Sequence, residues 1–148
     1  MPRIVREATV SWDGDVARGA GAISAASSGA FVELGYTAAS RIGEPEGKTS
    51  PEELLAAAHA ACFTTSLALE LSKAGTPPER LDLRCVVTLD KVEGKGHQIV
   101  RSEIEARGTV PDCDDAGFAQ AAEAADARCP LSALIRASAT VTVVATLS

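Results

Sequence analysis

A chain of 148 residues suits one domain, 1–148, with room for a real core. Its net charge of −6 argues against nucleic acid or an anionic membrane surface as the main partner. Four cysteines without a CxxC pair, behind an N-terminus that lacks the apolar core of a signal peptide, fit a cytoplasmic protein with reduced thiols. Alanine is abundant and aromatics make up only 3%, which points to a partner chain helping to build the core.

Residues 3–12 alternate in character and predict a strand. Asp13-Gly14-Asp15 is a turn signal, and residues 16–25 predict a second strand, loosened by Gly19 and Gly21. Ser27-Ser28-Gly29 turns into a short third strand over 30–36, completing an antiparallel meander. Residues 37–49, with Arg41, Gly43, Pro45 and Gly47, predict a long loop of the functional kind. A helix follows, with Ser50 as N-cap, Pro51 at its first position and Glu53 completing a capping box. It ends near Lys73-Ala74-Gly75.

Within this helix sixteen residues, 54–69, carry no formal charge, and Cys62 sits among them. A helix apolar on every side is expected in the middle of a protein. The run is short for a bilayer, which takes roughly 20 apolar residues. Further on, Leu81, Leu83, Cys85, Val87 and Leu89 share one strand face, Gly94 and Gly96 mark a turn, and residues 100–107 return with one wet side. A second helix follows Asp114-Asp115 and breaks at Cys129-Pro130; a short helical turn and a closing strand over 138–147 complete the chain. The order is βββ-α-ββ-α-β, an α+β domain.

The thiols differ in local setting. Cys85 reads as a small core hydrophobe. Cys113, among Asp112, Asp114 and Asp115, is disfavoured as a thiolate. Cys129 is either a helix N-cap favouring negative charge beside Arg128 or an ordinary junction cysteine. Cys62 has His59 one turn away, which either tunes the thiol or is a satisfied core residue. Arg41 is the obvious cation for a thiolate, although most loop arginines are simply solvated. Two histidines and no paired ligand motif give metal readings little support, and no nucleophile-elbow or phosphate-loop pattern is present.

The segment Gly47-Lys48-Thr49-Ser50-Pro51-Glu52-Glu53-Leu54-Leu55-Ala56-Ala57-Ala58-His59-Ala60-Ala61-Cys62-Phe63 closely resembles the signature of the OsmC/Ohr family, the osmotically inducible and organic-hydroperoxide-resistance proteins. Cys129-Pro130-Leu131-Ser132 resembles the family's second cysteine motif, and Trp12-Asp13-Gly14 with Gly19-Ala20-Gly21 resembles the OsmC branch. Ser50 stands where the family usually has Asn; both cap helices well.

The resemblance implies an OsmC-like fold, with two antiparallel sheets around a central buried helix in an intertwined homodimer. It implies a thiol peroxidase that needs no cofactor, takes organic hydroperoxides and is recycled by a thiol or dithiol reductant. Cys62 is implied as the peroxidatic thiol, Cys129 as the resolving thiol, Arg41 as the loop arginine and Glu52 as the acid that positions it. Glu52 and Cys62 lie ten residues apart on one predicted helix, roughly 15 Å along its axis, so Glu52 acts through Arg41 or across a dimer interface. The alternatives on the same fold are a slow-turnover redox sensor and a non-catalytic binding module.

Overall fold

The computed structural model of the chain describes residues 2–148. Among them run β1 (Thr9–Asp13), β2 (Ala20–Ser24), β3 (Leu34–Tyr36), α1 (Ala38–Ile42), α2 (Pro51–Lys73), β4 (Arg80–Val92), β5 (Gly96–Thr109), α3 (Asp115–Arg128), α4 (Pro130–Arg136) and β6 (Thr140–Leu147). They form two compact units, Met1–Leu54 and Leu55–Ser148.

In the first unit β1, β2 and β3 make the expected antiparallel meander. Its strands are shorter than the alternation predicts. Gly29 at φ 67° and Glu33 at φ 55° keep the chain out of extended geometry until Leu34. Gly21 pairs with Trp12 on one side and Tyr36 on the other, whose rings stand 5.5 Å apart and tilted by 55°. A Cβ on Gly21 would run into the Tyr36 ring, so this glycine makes room for an aromatic pair rather than loosening a strand.

The loop expected over 37–49 contains a helix instead. Thr37 Oγ1 accepts from the Ser40 amide at 2.9 Å, and Ser40 Oγ accepts from the Thr37 amide at 3.0 Å. This reciprocal cap uses serine where glutamate is usual, which is why the sequence pattern concealed it. Arg41 therefore projects from the last turn of α1. At the start of α2, Ser50 Oγ accepts from the Glu53 amide at 3.1 Å, as the capping box requires. The Glu53 carboxylate accepts from Thr49 Oγ1 at 2.8 Å, a different second half from the one expected.

In the second unit the residues of α2 bury a single stripe. His59, Phe63, Leu67 and Leu71, spaced by four, are each 0% exposed, and Leu69 is 51% exposed. The expectation of a helix buried on every side is not met within one chain, because a single packed layer covers one face of a helix. At 23 residues α2 is longer than its charge-free run, and by length and composition alone it is sufficient to cross a membrane. The core helix of a soluble protein meets the same description, and the stripe packs into one apolar cluster with Ile104, Ala106 and Phe118. The helix closes on Gly75 at φ 82°, where the Thr76 amide donates to the Leu71 carbonyl and the Gly75 amide to that of Ser72.

β4 and β5 form the predicted hairpin, turning through Gly94 and Gly96, both at φ 76°. The sheet order is β4-β5-β6, with β6 parallel to β5. This corrects the expectation of two antiparallel sheets: α3 and α4 return the chain before β6 starts, so β6 runs in the same direction as β5. Leu81, Leu83, Cys85 and Val143 lie toward the apolar cluster, with Ser102, Ile104 and Ala106 buried at its centre.

Candidate active site

Cys62 lies mid-helix on α2, and Cys129 is fully buried at the junction of α3 and α4. Pro130 supplies the first residue of α4, so Cys129 takes the N-cap; its amide donates to the Ala125 carbonyl at 2.8 Å and closes α3 as well. Of the two settings open to Cys129, the N-cap is the one realised. The two sulfurs are 3.3 Å apart and unbridged, with the Cys129 thiol donating to Cys62 Sγ. A disulfide needs about 2.0 Å, so the sulfurs have little more than an ångström to travel before one closes.

Burial pushes the Cys62 thiol above its ordinary value of 9.0, the Leu131 amide pulls it down, and Cys129 pushes it up again. The balance lies on the neutral side. Within its unit Cys62 thus has one amide donor and a partner thiol, and thiolate chemistry there calls for added positive charge.

Arg41 and Glu52, both in the first unit, are brought together. Arg41 Nη2 donates to Glu52 Oε1 at 2.6 Å, and Nε lies 3.0 Å from each carboxylate oxygen. Burial is the largest single influence and would raise Glu52; the hydrogen bonding from Arg41, the backbone amide of Glu52 itself and the Arg41 charge together outweigh it and hold the carboxyl below its ordinary 4.5. The same contacts raise Arg41 further. α2 is unbroken from Pro51 to Lys73, so the ten-residue separation of Glu52 from Cys62 along the helix stands.

His59 makes no hydrogen bond to Cys62. Its Nδ1 lies 2.7 Å from Ser102 Oγ and its Nε2 2.8 Å from Ser132 Oγ. Cys85 is part-buried, 3.3 Å from Ser102 Oγ, and burial raises its thiol. The sequence places Ser102 on the apolar side of a cleanly alternating strand without assigning it a role; a serine among apolar residues there is the signal for one. Among the described residues Cys113 bonds only to the Asp114 carbonyl, at 3.5 Å. Arg128 and Arg136, the other cations near Cys129 in sequence, are engaged by Glu70 at 3.2 Å and by Asp126 at 2.6 Å.

Fold and thiols together define a class: an α+β protein in which two unbridged cysteines, 67 residues apart, stand in contact. The chain belongs to the OsmC family: the family described as OsmC-like protein matches residues 43–144. It is 37% identical over 137 residues to peroxiredoxin OsmC of Escherichia coli K12, covering 93% of this chain and 94% of that one. The fold is also that of the organic hydroperoxide resistance protein OhrB of Bacillus subtilis, with a TM-score of 0.74 at 24% identity over 95% of this chain and 98% of the other. An OsmC-like protein of unknown function from Vibrio cholerae superposes with a TM-score of 0.78 at 12% identity, over 97% of this chain and 100% of that one.

Proposed function

We propose that the protein is a thiol peroxidase that reduces organic hydroperoxides, and hydrogen peroxide less well, through a cycle of Cys62 and Cys129. The contact between the two sulfurs at 3.3 Å carries this reading, and the name peroxiredoxin on the 37% identical relative supports it. The Cys62 thiolate attacks the terminal peroxide oxygen, the O–O bond breaks, and an alcohol leaves once its oxygen is protonated. Cys62 is then a sulfenic acid. Cys129 attacks that sulfur, the hydroxyl departs as water with the Cys129 proton, and a Cys62–Cys129 disulfide forms. An external thiol or dithiol returns two electrons and two protons.

Arg41 is assigned the cation that favours the Cys62 thiolate and meets the developing charge on the leaving oxygen, with Glu52 fixing its guanidinium. The resemblance and the tight Arg41–Glu52 fork support this assignment. The functional unit is a homodimer in the cytoplasm, with each α2 covered by its partner. Exposed Leu69 and the alanine-rich outer side of α2 support that arrangement. No cofactor takes part.

The deciding experiment is peroxide-dependent consumption of dithiothreitol by the purified protein, with the oxidised product mapped by mass spectrometry. Turnover with a Cys62–Cys129 bridge is expected; dithiol consumption no faster than in a protein-free control would overturn the reading.

A further inference from the structure

The cycle leaves one buried polar cluster unused. His59, Ser102 and Ser132 come from α2, β5 and α4, and each is 0% exposed. Three desolvated polar groups are costly in a core unless every hydrogen bond is made, and a fully made network then imposes one arrangement on the elements it joins. Burial lowers the imidazole from its ordinary 6.5, so it is neutral, with one nitrogen donating and the other accepting.

Counting protons selects the tautomer. With the proton on Nδ1, His59 donates to Ser102 Oγ, the Ser102 hydroxyl donates to Cys85 Sγ, and the Ser132 hydroxyl donates to Nε2. Every hydroxyl and imidazole proton has an acceptor, and only the Cys85 thiol, a weak donor on a part-buried residue, is left without one. With the proton on Nε2, His59 donates to Ser132 Oγ, and the Ser132 hydroxyl has no acceptor among its contacts. The chain therefore runs in one direction, from Ser132 through His59 and Ser102 to Cys85.

Its Ser132 end reaches the thiol pair. The Ser132 amide donates to Cys129 Sγ at 3.5 Å, so the residue gripped by His59 through its hydroxyl grips the resolving sulfur through its backbone. We propose that His59 is a positioning residue for Cys129: by holding Ser132 it sets the first turn of α4 against α2 and keeps the Cys129 sulfur in line with Cys62. The proposal rests on the Cys62–Cys129 cycle but concerns closure of the disulfide, which an oxidant other than peroxide also drives. Cys85, at the far end of the chain, serves as the terminal acceptor and not as a redox partner.

Glutamine extends as far as Nε2 of histidine and can accept from Ser132; asparagine reaches only as far as Nδ1. The test compares His59→Gln, His59→Asn, Ser132→Ala and Ser132→Thr, after thermal melts establish which are folded. Closure of the Cys62–Cys129 disulfide is timed with diamide, which takes two electrons and two protons from a dithiol. Formation of the Cys62 sulfenic acid is timed separately with cumene hydroperoxide. His59→Asn and Ser132→Ala are expected to close on the order of tenfold more slowly, while Cys62 oxidation changes by less than about twofold; His59→Gln and Ser132→Thr recover most of the closure rate. A histidine that only fills space would make the asparagine and glutamine variants alike and leave Ser132→Ala normal. Wild-type closure rates in folded Ser132→Ala overturn the proposal even if both His59 variants fail to fold. Should the wild type close with diamide and ignore peroxide, the peroxidase reading falls and the role of His59 stands on its own result.

Discussion

Arg41 places two nitrogens against the carboxylate of Glu52, whose side chain is only 11% exposed, while its own side chain remains 43% exposed. In the proposed assignment Glu52 orients the guanidinium, and the guanidinium keeps an open side. Arg41→Lys retains the charge and loses the fork. The rate of Cys62 oxidation by peroxide is expected to fall on the order of a hundredfold, the scale of losing one aligned donor. Glu52→Gln should fall similarly and lose about 1 kcal/mol of stability, toward the low end because the pair is partly solvated. Stopped-flow oxidation and urea unfolding measure the two effects; an undiminished rate in Arg41→Lys moves the cation elsewhere.

The four thiols should separate by substitution. Cys62→Ser is expected to abolish peroxide reduction. Cys129→Ser should undergo one oxidation and then stall or proceed to the sulfinic acid, since no thiol stands ready to condense with the sulfenic acid. Cys85→Ala and Cys113→Ala should keep activity. Peptide mass mapping after one equivalent of peroxide checks all four; a bridge between Cys85 and Cys113 would refute the assignment.

An apolar tail should be read by the site. Leu55 and Leu69 lie seven residues either side of Cys62 on the same face of α2, and neither is buried, so an approach to the sulfur along that face meets apolar side chains. Burying four or five carbons contributes on the order of 3 kcal/mol. Realised in the transition state, that is roughly a hundredfold in kcat/KM for cumene or tert-butyl hydroperoxide over hydrogen peroxide. Equal values for the three peroxides with one non-limiting reductant would withdraw the preference and leave the thiol chemistry standing.

Stability should fall in acid in two stages. His59 is held below its ordinary 6.5, so the unfolded chain binds the extra proton first, and stability declines as pH drops through 6.5. Glu52 is held below 4.5, so its contribution is complete above 4.5 and is lost as pH falls through its depressed value. Melting temperatures between pH 7.5 and 3.5 record both stages. His59→Gln should flatten the upper one; an unchanged slope there would show that another group is responsible.

The exposed side of α2 calls for a partner. Light scattering at micromolar concentration should give a dimer of about twice the 15.2 kDa chain mass. Leu69→Glu, which puts a charge on the half-exposed leucine, should shift the population toward monomer. A wild-type monomer of 15.2 kDa would count against the dimer and against any contribution from a second chain to the site.

Elements with strong periodicity were legible in the sequence: the meander, the β4–β5 hairpin, and α2 with its Ser50 cap and Gly75 stop; the N-cap position of Cys129 was one of two open readings until the fold decided it. What was hidden depended on contacts between distant residues. The direction of β6 follows from how α3 and α4 carry the chain back, and no strand pattern encodes it. The helix bearing Arg41 is held by a Thr37–Ser40 cap weaker in signature than the usual pair. His59 looked like a neighbour of Cys62 because both lie on one helix, yet its partners are serines 43 and 73 residues away. The pairing of Cys62 with Cys129 came from motif resemblance, and only the fold puts a distance on it.

A bridge between cysteines 67 positions apart would also act on the unfolded chain. Tying a loop of that length removes denatured-state entropy worth about 4 kcal/mol at room temperature, comparable to the whole stability of many small domains. The oxidised protein would then be the hardier form, and the reduced, ready form the one most open to heat and proteases. Waiting for a reductant would become the safest moment of the cycle. A cell short of reducing power would accumulate this protein in its most durable state, available as soon as thiols return.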